Sequence, residues 1–170
     1  LAVGGSLGAG SINEALALHL DVFEQNDLQL IWQTGKTTAT TYKQKGERKK
    51  NIWVGDFIRE MEMGYAAADI VISRAGAMAV TELCVAGKPT VFVPYTFAAE
   101  DHQTSNAMSL VNKHAALIVK DAQVKEKLVD TVIALSKDQV LQQRLQTNIH
   151  ALAITNADEI IAKEILKHIQ

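Results

Sequence analysis

The sequence has 170 residues, 48% hydrophobic and 21% charged, which is long and apolar enough for one domain with a substantial core. Only 2 prolines and 10 glycines occur, so collagen-like, Pro-rich and disordered readings are out, and a formal net charge of −2 excludes a nucleic-acid binder working by bulk charge. The single cysteine excludes a disulfide framework and a Cys-rich zinc site; Cys84 lies in the apolar stretch Leu83-Cys84-Val85-Ala86 and reads as a small buried thiol, in keeping with a reducing, cytosolic compartment.

Leu1-Ala2-Val3 is apolar and ends in a glycine turn, as the first strand of a βα unit does. The chain opens inside this strand without an initiator Met or a signal peptide, so it reads as a piece cut at a domain boundary with a partner half expected. Ser11 and Asn13 precede a long helical run through Ala15, Leu16, Leu18, Leu20 and Phe23. Residues 28–33 and 52–54 read as strands, and the polar, basic residues 37–50 carry no apolar stripe to pin their structure. A short helix over 61–68, a buried strand over 70–72, a helix over 77–86 and a strand over 90–93 follow. Residues 103–112 read as helix, 116–119 as strand, and 124–135, 139–150 and 157–168 as helices. Short strands alternating with longer helices predict an α/β fold: a Rossmann-like, doubly wound parallel sheet with right-handed crossovers. No apolar run approaches the roughly 18–20 residues of a bilayer-crossing helix.

Such sheets bind ligands beyond the carboxyl ends of their strands. Three loops there carry candidate chemistry. In Gly4-Gly5-Ser6-Leu7-Gly8-Ala9-Gly10 the glycines let backbone N–H groups approach a phosphate at a helix N-terminus; a tight turn needed only for packing is the other reading. The spacing is not G-x-G-x-x-G, and Gln33-Thr34-Gly35 supplies no acid after the second strand, so a nicotinamide dinucleotide site lacks both halves of its signature. Ser73-Arg74-Ala75-Gly76-Ala77-Met78-Ala79-Val80-Thr81-Glu82 points a second helix N-terminus at the same crevice. Glu82, on an apolar segment where an unpaired carboxylate is costly, reads either as a ribose-gripping group or as a first-turn glutamate favoured by the helix dipole. The third loop, Glu100-Asp101-His102-Gln103-Thr104-Ser105-Asn106, offers amides suited to sugar hydroxyls; Asp101 also reads as an N-cap and His102 as an exposed helix-start residue. His19, His114, His150 and His168 have no partner pattern, and the basic run Lys43, Lys45, Arg48, Lys49 and Lys50 reads as a solvated loop.

Gly4-Gly5-Ser6-Leu7-Gly8-Ala9, Phe57-Ile58, Ser73-Arg74-Ala75-Gly76-Ala77 with Thr81-Glu82, and Asp101-His102-Gln103 with Asn106-Ala107 together resemble the donor-binding, C-terminal half of GT-B glycosyltransferases of family 28. The likeness runs from residue 1 to about residue 120, with a weaker helical tail. It implies an inverting transfer of N-acetylglucosamine from UDP-N-acetylglucosamine to undecaprenyl-diphosphate-linked N-acetylmuramyl pentapeptide, in peptidoglycan synthesis and without a bound divalent metal. By the same resemblance Ser6 and Gly8 face the donor diphosphate, and the Ile58 backbone meets the uracil edge. Ala77, Met78, Ala79, Val80 and Thr81 supply helix N-terminal groups to the diphosphate, Glu82 holds the ribose, and Gln103, with His102 and Asn106, reads the sugar. His102 departs from members that carry glutamine there. The acceptor site, the general base and the peripheral contact with the cytoplasmic face of the membrane belong to the family's other half. Residues 1–170 are then one donor-binding domain, whose last helix, 157–170, is expected to pack on that other half through Ile161, Ile165 and Ile169.

Other readings remain beside this one: a different GT-B UDP-sugar transferase or epimerase, or a non-catalytic donor-binding subunit of a two-chain transferase.

Overall fold

The structure is a computed structural model that describes residues 1–96 and 101–169. Six parallel strands form one sheet in the order β3-β2-β1-β4-β5-β6. They are β1 (Ala2–Val3), β2 (Leu30–Gln33), β3 (Ile52–Gly55), β4 (Val71–Ser73), β5 (Thr90–Phe92) and β6 (Leu117–Ile118). The expected doubly wound α/β fold is therefore present. The order reverses between β1 and β4, where Ala2 faces Ile72 and Val3 faces Ser73. In sheets of this kind that reversal opens a crevice above the strand ends.

The central strands feed both sides of the sheet, because successive side chains point to opposite faces. Ala2, Ile72, Val91 and Val93 enter one buried cluster with Ile12, Leu16, Trp32 and Leu128. Leu1, Val3, Val71 and Phe92 enter the other, with Tyr65, Leu83, Leu110 and Ile149. Burying each of the larger side chains contributes about 1.5–3 kcal/mol, so these two layers carry the fold. The first cluster is covered by α1 (Gly10–Leu18), α2 (Leu20–Gln25), α3 (Ala39–Gly46) and α7 (Val124–Lys137), the second by α4 (Met61–Ala67), α5 (Ala77–Ala86) and α6 (His102–Val111). Helix α8 (Gln139–His150) gives Leu145 to one and Ile149 to the other. Cys84 is buried and unpaired, as its apolar surroundings suggest.

Two segments differ from the sequence expectation. The single run expected to follow Ser11 and Asn13 and to continue through Phe23 instead starts at Gly10 and breaks at His19 (φ −126°, ψ 24°), so Ser11 and Asn13 lie inside α1. The break re-aims the chain so that Leu16, Leu20 and Phe23 all reach the same core. The segment without an apolar stripe contains helix α3, which buries Tyr42, 5.1 Å from the Trp32 ring, centroid to centroid, and Gly46, against Val54 of β3. Its lysines are partly paired, Lys49 with Asp21 and Glu24 and Lys43 with Glu47.

The last helix, α9 (Ala157–Lys167), buries none of its residues, and Ile160, Ile161, Ile165 and Leu166 are exposed along it. Among the described residues no helix is long and apolar enough to cross a membrane.

Candidate functional site

Strands β1 and β4 are neighbours in register, so the loops that leave them start side by side. Each loop runs directly into a helix, α1 or α5, and both helix N-termini therefore open on one crevice at the carboxyl edge of the sheet. Asn13 N–H donates to Ala9 and Val80 N–H to Gly76, so these are the first rungs of the two ladders. The N–H groups before those rungs have no helical partner, and they make the crevice favourable for negative charge.

The crevice is a cavity of about 770 Å³. It brings together Ser6 and Gly8 from the first loop, Ala79 and Glu82 from α5, and Gln103 from α6, together with Gln33, Tyr65, Arg74 and Gly76. Sequence positions almost 100 residues apart thus line one space. Gly8 has φ +85°, and a Cβ there would stand 2.0 Å from the Thr34 carbonyl oxygen. Its missing side chain is a packing requirement. Gly76 is different: its φ is −65°, and nothing lies within 4 Å of the position of a Cβ. The fold leaves that space open toward the crevice.

Glu82 is exposed and lies beyond the first turn of α5, which contains no acidic residue. Neither the expected desolvation penalty nor a first-turn dipole role applies to it. Its Oε2 instead accepts a hydrogen bond from the Tyr65 hydroxyl at 3.0 Å. Burial, and then the charge and hydrogen bond of Glu82, push the Tyr65 phenol far above its ordinary range, so it stays a donor. Gln103 Oε1 accepts the Tyr95 N–H at 3.0 Å, which leaves the amide's donor end as its offer to a ligand.

The remaining expected residues stand elsewhere. Ile58 lies outside the crevice lining, and its N–H donates to Gln33 Oε1 at 2.9 Å. Ala77 is exposed at the first position of α5, whereas the Val80 N–H is already spent on Gly76. The Thr81 hydroxyl turns back to the Ala77 carbonyl. Met78 is 74% exposed and, with Thr81, lines an adjoining groove between α4 and α5, which shares Met61, Tyr65 and Glu82 with the crevice. Asn106 donates to the Ala75 carbonyl at 3.0 Å and so holds the turn that starts α5. His102 is exposed at the first position of α6, outside the crevice lining. Asp101 is the N-cap of that helix by position, but its carboxylate accepts from the Thr104 hydroxyl, not from a backbone N–H. Glu100 lies outside the described residues. Among the described residues no three His, Cys, Asp or Glu side chains converge as a metal site would require.

The glycosyltransferase family 28 C-terminal domain matches residues 1–165. This chain belongs to that family. A transferase of Bacteroides thetaiotaomicron, named for moving N-acetylglucosamine from its UDP form to an N-acetylmuramyl-(pentapeptide) pyrophosphoryl-undecaprenol, is 45% identical over 98% of this chain and 46% of its own length. The transferase of the same name from Flavobacterium psychrophilum is 42% identical over the whole of this chain and 46% of its own length. The crystal structure of Acinetobacter baumannii MurG superposes with a TM-score of 0.84 at 31% identity, covering 98% of this chain and 48% of that one. The chain spans about half the length of the curated relatives it matches.

This family 28 domain also uses residues that sequence reasoning assigned no role. Arg74 donates from Nη1 to the carbonyls of Val93 (3.0 Å) and Pro94 (3.2 Å) and to Asp121 Oδ1 (2.5 Å), and from Nη2 to Ser11 Oγ (2.9 Å). One guanidinium thereby ties the ends of β4 and β5 to the start of α1 and to the turn before α7. Its place in the motif beside Gly76 was visible; Asp121, 47 positions away, was not. Asn13 accepts from Trp32 Nε1 and donates to the Thr34 carbonyl, fixing α1 against the end of β2.

Proposed function

We propose that this chain is the donor-binding half of an inverting N-acetylglucosaminyltransferase that acts on undecaprenyl-diphosphate-linked N-acetylmuramyl pentapeptide in peptidoglycan synthesis. The observation that carries this reading is the single crevice at the β1/β4 reversal, where two helix N-termini, Glu82 and Gln103 line one cavity. Family membership and the names of the relatives supply the reaction.

On this reading the donor diphosphate lies over the first loop, beside Ser6 and the N-termini of α1 and α5. Charge grows on that diphosphate as the sugar departs, and preorganised N–H groups stabilise it without reorganising. Glu82 accepts from the ribose hydroxyls, and Gln103 donates to the sugar. The uracil meets the Ile58 carbonyl; the Ile58 N–H reaches a uracil oxygen only when Gln33 turns away. The acceptor, the general base and the docking to the cytoplasmic face of the membrane fall to the rest of the protein, onto which the exposed apolar face of α9 packs.

Calorimetric titration with UDP-N-acetylglucosamine, UDP and NAD tests the reading. Both uridine nucleotides bind, equally with magnesium or with chelator, and NAD does not. Binding of NAD alone contradicts it, and strict magnesium dependence contradicts the charge-stabilising role of the helix N-termini.

A further inference from the structure

We propose that Tyr65 is a positioning residue for nucleoside recognition: its hydroxyl holds one carboxylate oxygen of Glu82 and so presets the other for the ribose. The proposal rests on the reading of Glu82 as the ribose-binding group and assigns the residue that orients it.

Tyr65 is 8% exposed, and its ring packs in the cluster that includes Val3, Val71 and Leu83. The ring is therefore fixed, and with it the hydroxyl. That hydroxyl reaches Glu82 Oε2 at 3.0 Å, and both residues line the crevice. Glu82 itself stands on the exposed side of α5, where a glutamate side chain is otherwise free to sample many rotamers. An untethered carboxylate loses that freedom each time it closes on a ligand, and holding a side chain in its bound geometry recovers the loss. A carboxylate has about four acceptor sites on two oxygens, so one bond from Tyr65 leaves room for two vicinal hydroxyls. The phenol's acidity is suppressed by burial and by Glu82, so the tether persists through the neutral range.

The test is a cycle of Tyr65→Phe and Glu82→Ala, titrated with UDP and with 2′,3′-dideoxy-UDP. Tyr65→Phe weakens UDP about three- to tenfold, the span of immobilising one flexible side chain. It leaves 2′,3′-dideoxy-UDP unchanged and has no further effect once Glu82 is Ala. Equal weakening of both nucleotides, or weakening that persists in the Glu82→Ala chain, makes Tyr65 merely structural and overturns the proposal. If Glu82→Ala weakens UDP but Tyr65→Phe does not, the positioning role alone falls. If Glu82→Ala binds UDP as the parent does, the ribose reading falls and takes this one with it. Failure of Tyr65→Phe to fold also contradicts the proposal, since the ring alone makes the core contacts.

Discussion

Gln33 and Ile58 are joined across the crevice edge: the Ile58 N–H donates to Gln33 Oε1 at 2.9 Å, while Gln33 Nε2 donates to the Gly5 carbonyl at 3.1 Å. One carboxamide, 4% exposed, thus couples the glycine loop after β1 to the loop after β3. Replacing Gln33 by Leu keeps the volume but strands two backbone groups. We predict a stability loss of about 2 kcal/mol in urea unfolding and at least about fivefold weaker UDP binding. Unchanged affinity in the folded variant contradicts a coupled pair of loops.

Gly76 separates ligand approach from backbone strain. Its φ is one that any residue adopts, and a Cβ there meets nothing within 4 Å. Gly76→Val is therefore expected to fold with a melting temperature close to that of the parent. A branched side chain at the start of α5 takes the space of the diphosphate, so UDP binding falls at least about tenfold, more than 1.4 kcal/mol. Uridine, which has no phosphate, keeps its affinity. Loss of both ligands by the same factor places the diphosphate elsewhere. Gly8 cannot serve for this test, because any side chain there strikes the Thr34 backbone.

Much of the fold was legible because its signals are local. Helices α5 and α8 have the bounds expected from the sequence, residues 77–86 and 139–150, and Gly87 stops the first as expected. Strand-end glycines, Glu82 and Gln103 could be grouped because a parallel sheet brings all its strand ends to one edge. What was hidden depends on pairing at a distance or on helix phase. Helix α3 is anchored by Tyr42 against Trp32 and by Gly46 against Val54, two contacts to other strands that leave no apolar period. Met78 sits in an almost wholly apolar helix, so its sequence does not say which face meets the crevice and which the α4–α5 groove. In the sequence alone Gln33 registers only as the absence of an acid after β2. Its two hydrogen bonds to loops 25 and 28 residues away exist only in the folded chain.

The Arg74–Asp121 pair carries a separate expectation about stability. Both side chains are mostly buried, at 14% and 17% exposure, and Ser11 bridges them by donating to Asp121 at 2.6 Å. Removing the carboxylate leaves a buried guanidinium without its counter-charge. Asp121→Ala is predicted to cost about 3 kcal/mol in equilibrium unfolding. A cost below about 0.5 kcal/mol, within the range of neutral surface changes, shows that solvent already compensates Arg74.

The most direct measurement is an amide-resolved NMR titration of the ¹⁵N-labelled chain with UDP-N-acetylglucosamine and, separately, with UDP. The account predicts that both ligands shift the amides of Ser6 to Ile12 and Ala77 to Ala79, where the N–H groups precede the first rungs of α1 and α5. Glu82 and Ile58 respond to both as well, whereas the Gln103 side-chain amide responds only to the sugar nucleotide. Shifts confined to the α4–α5 groove around Met78 and Val85, with the two helix N-termini silent, would contradict the placement of the donor between β1 and β4.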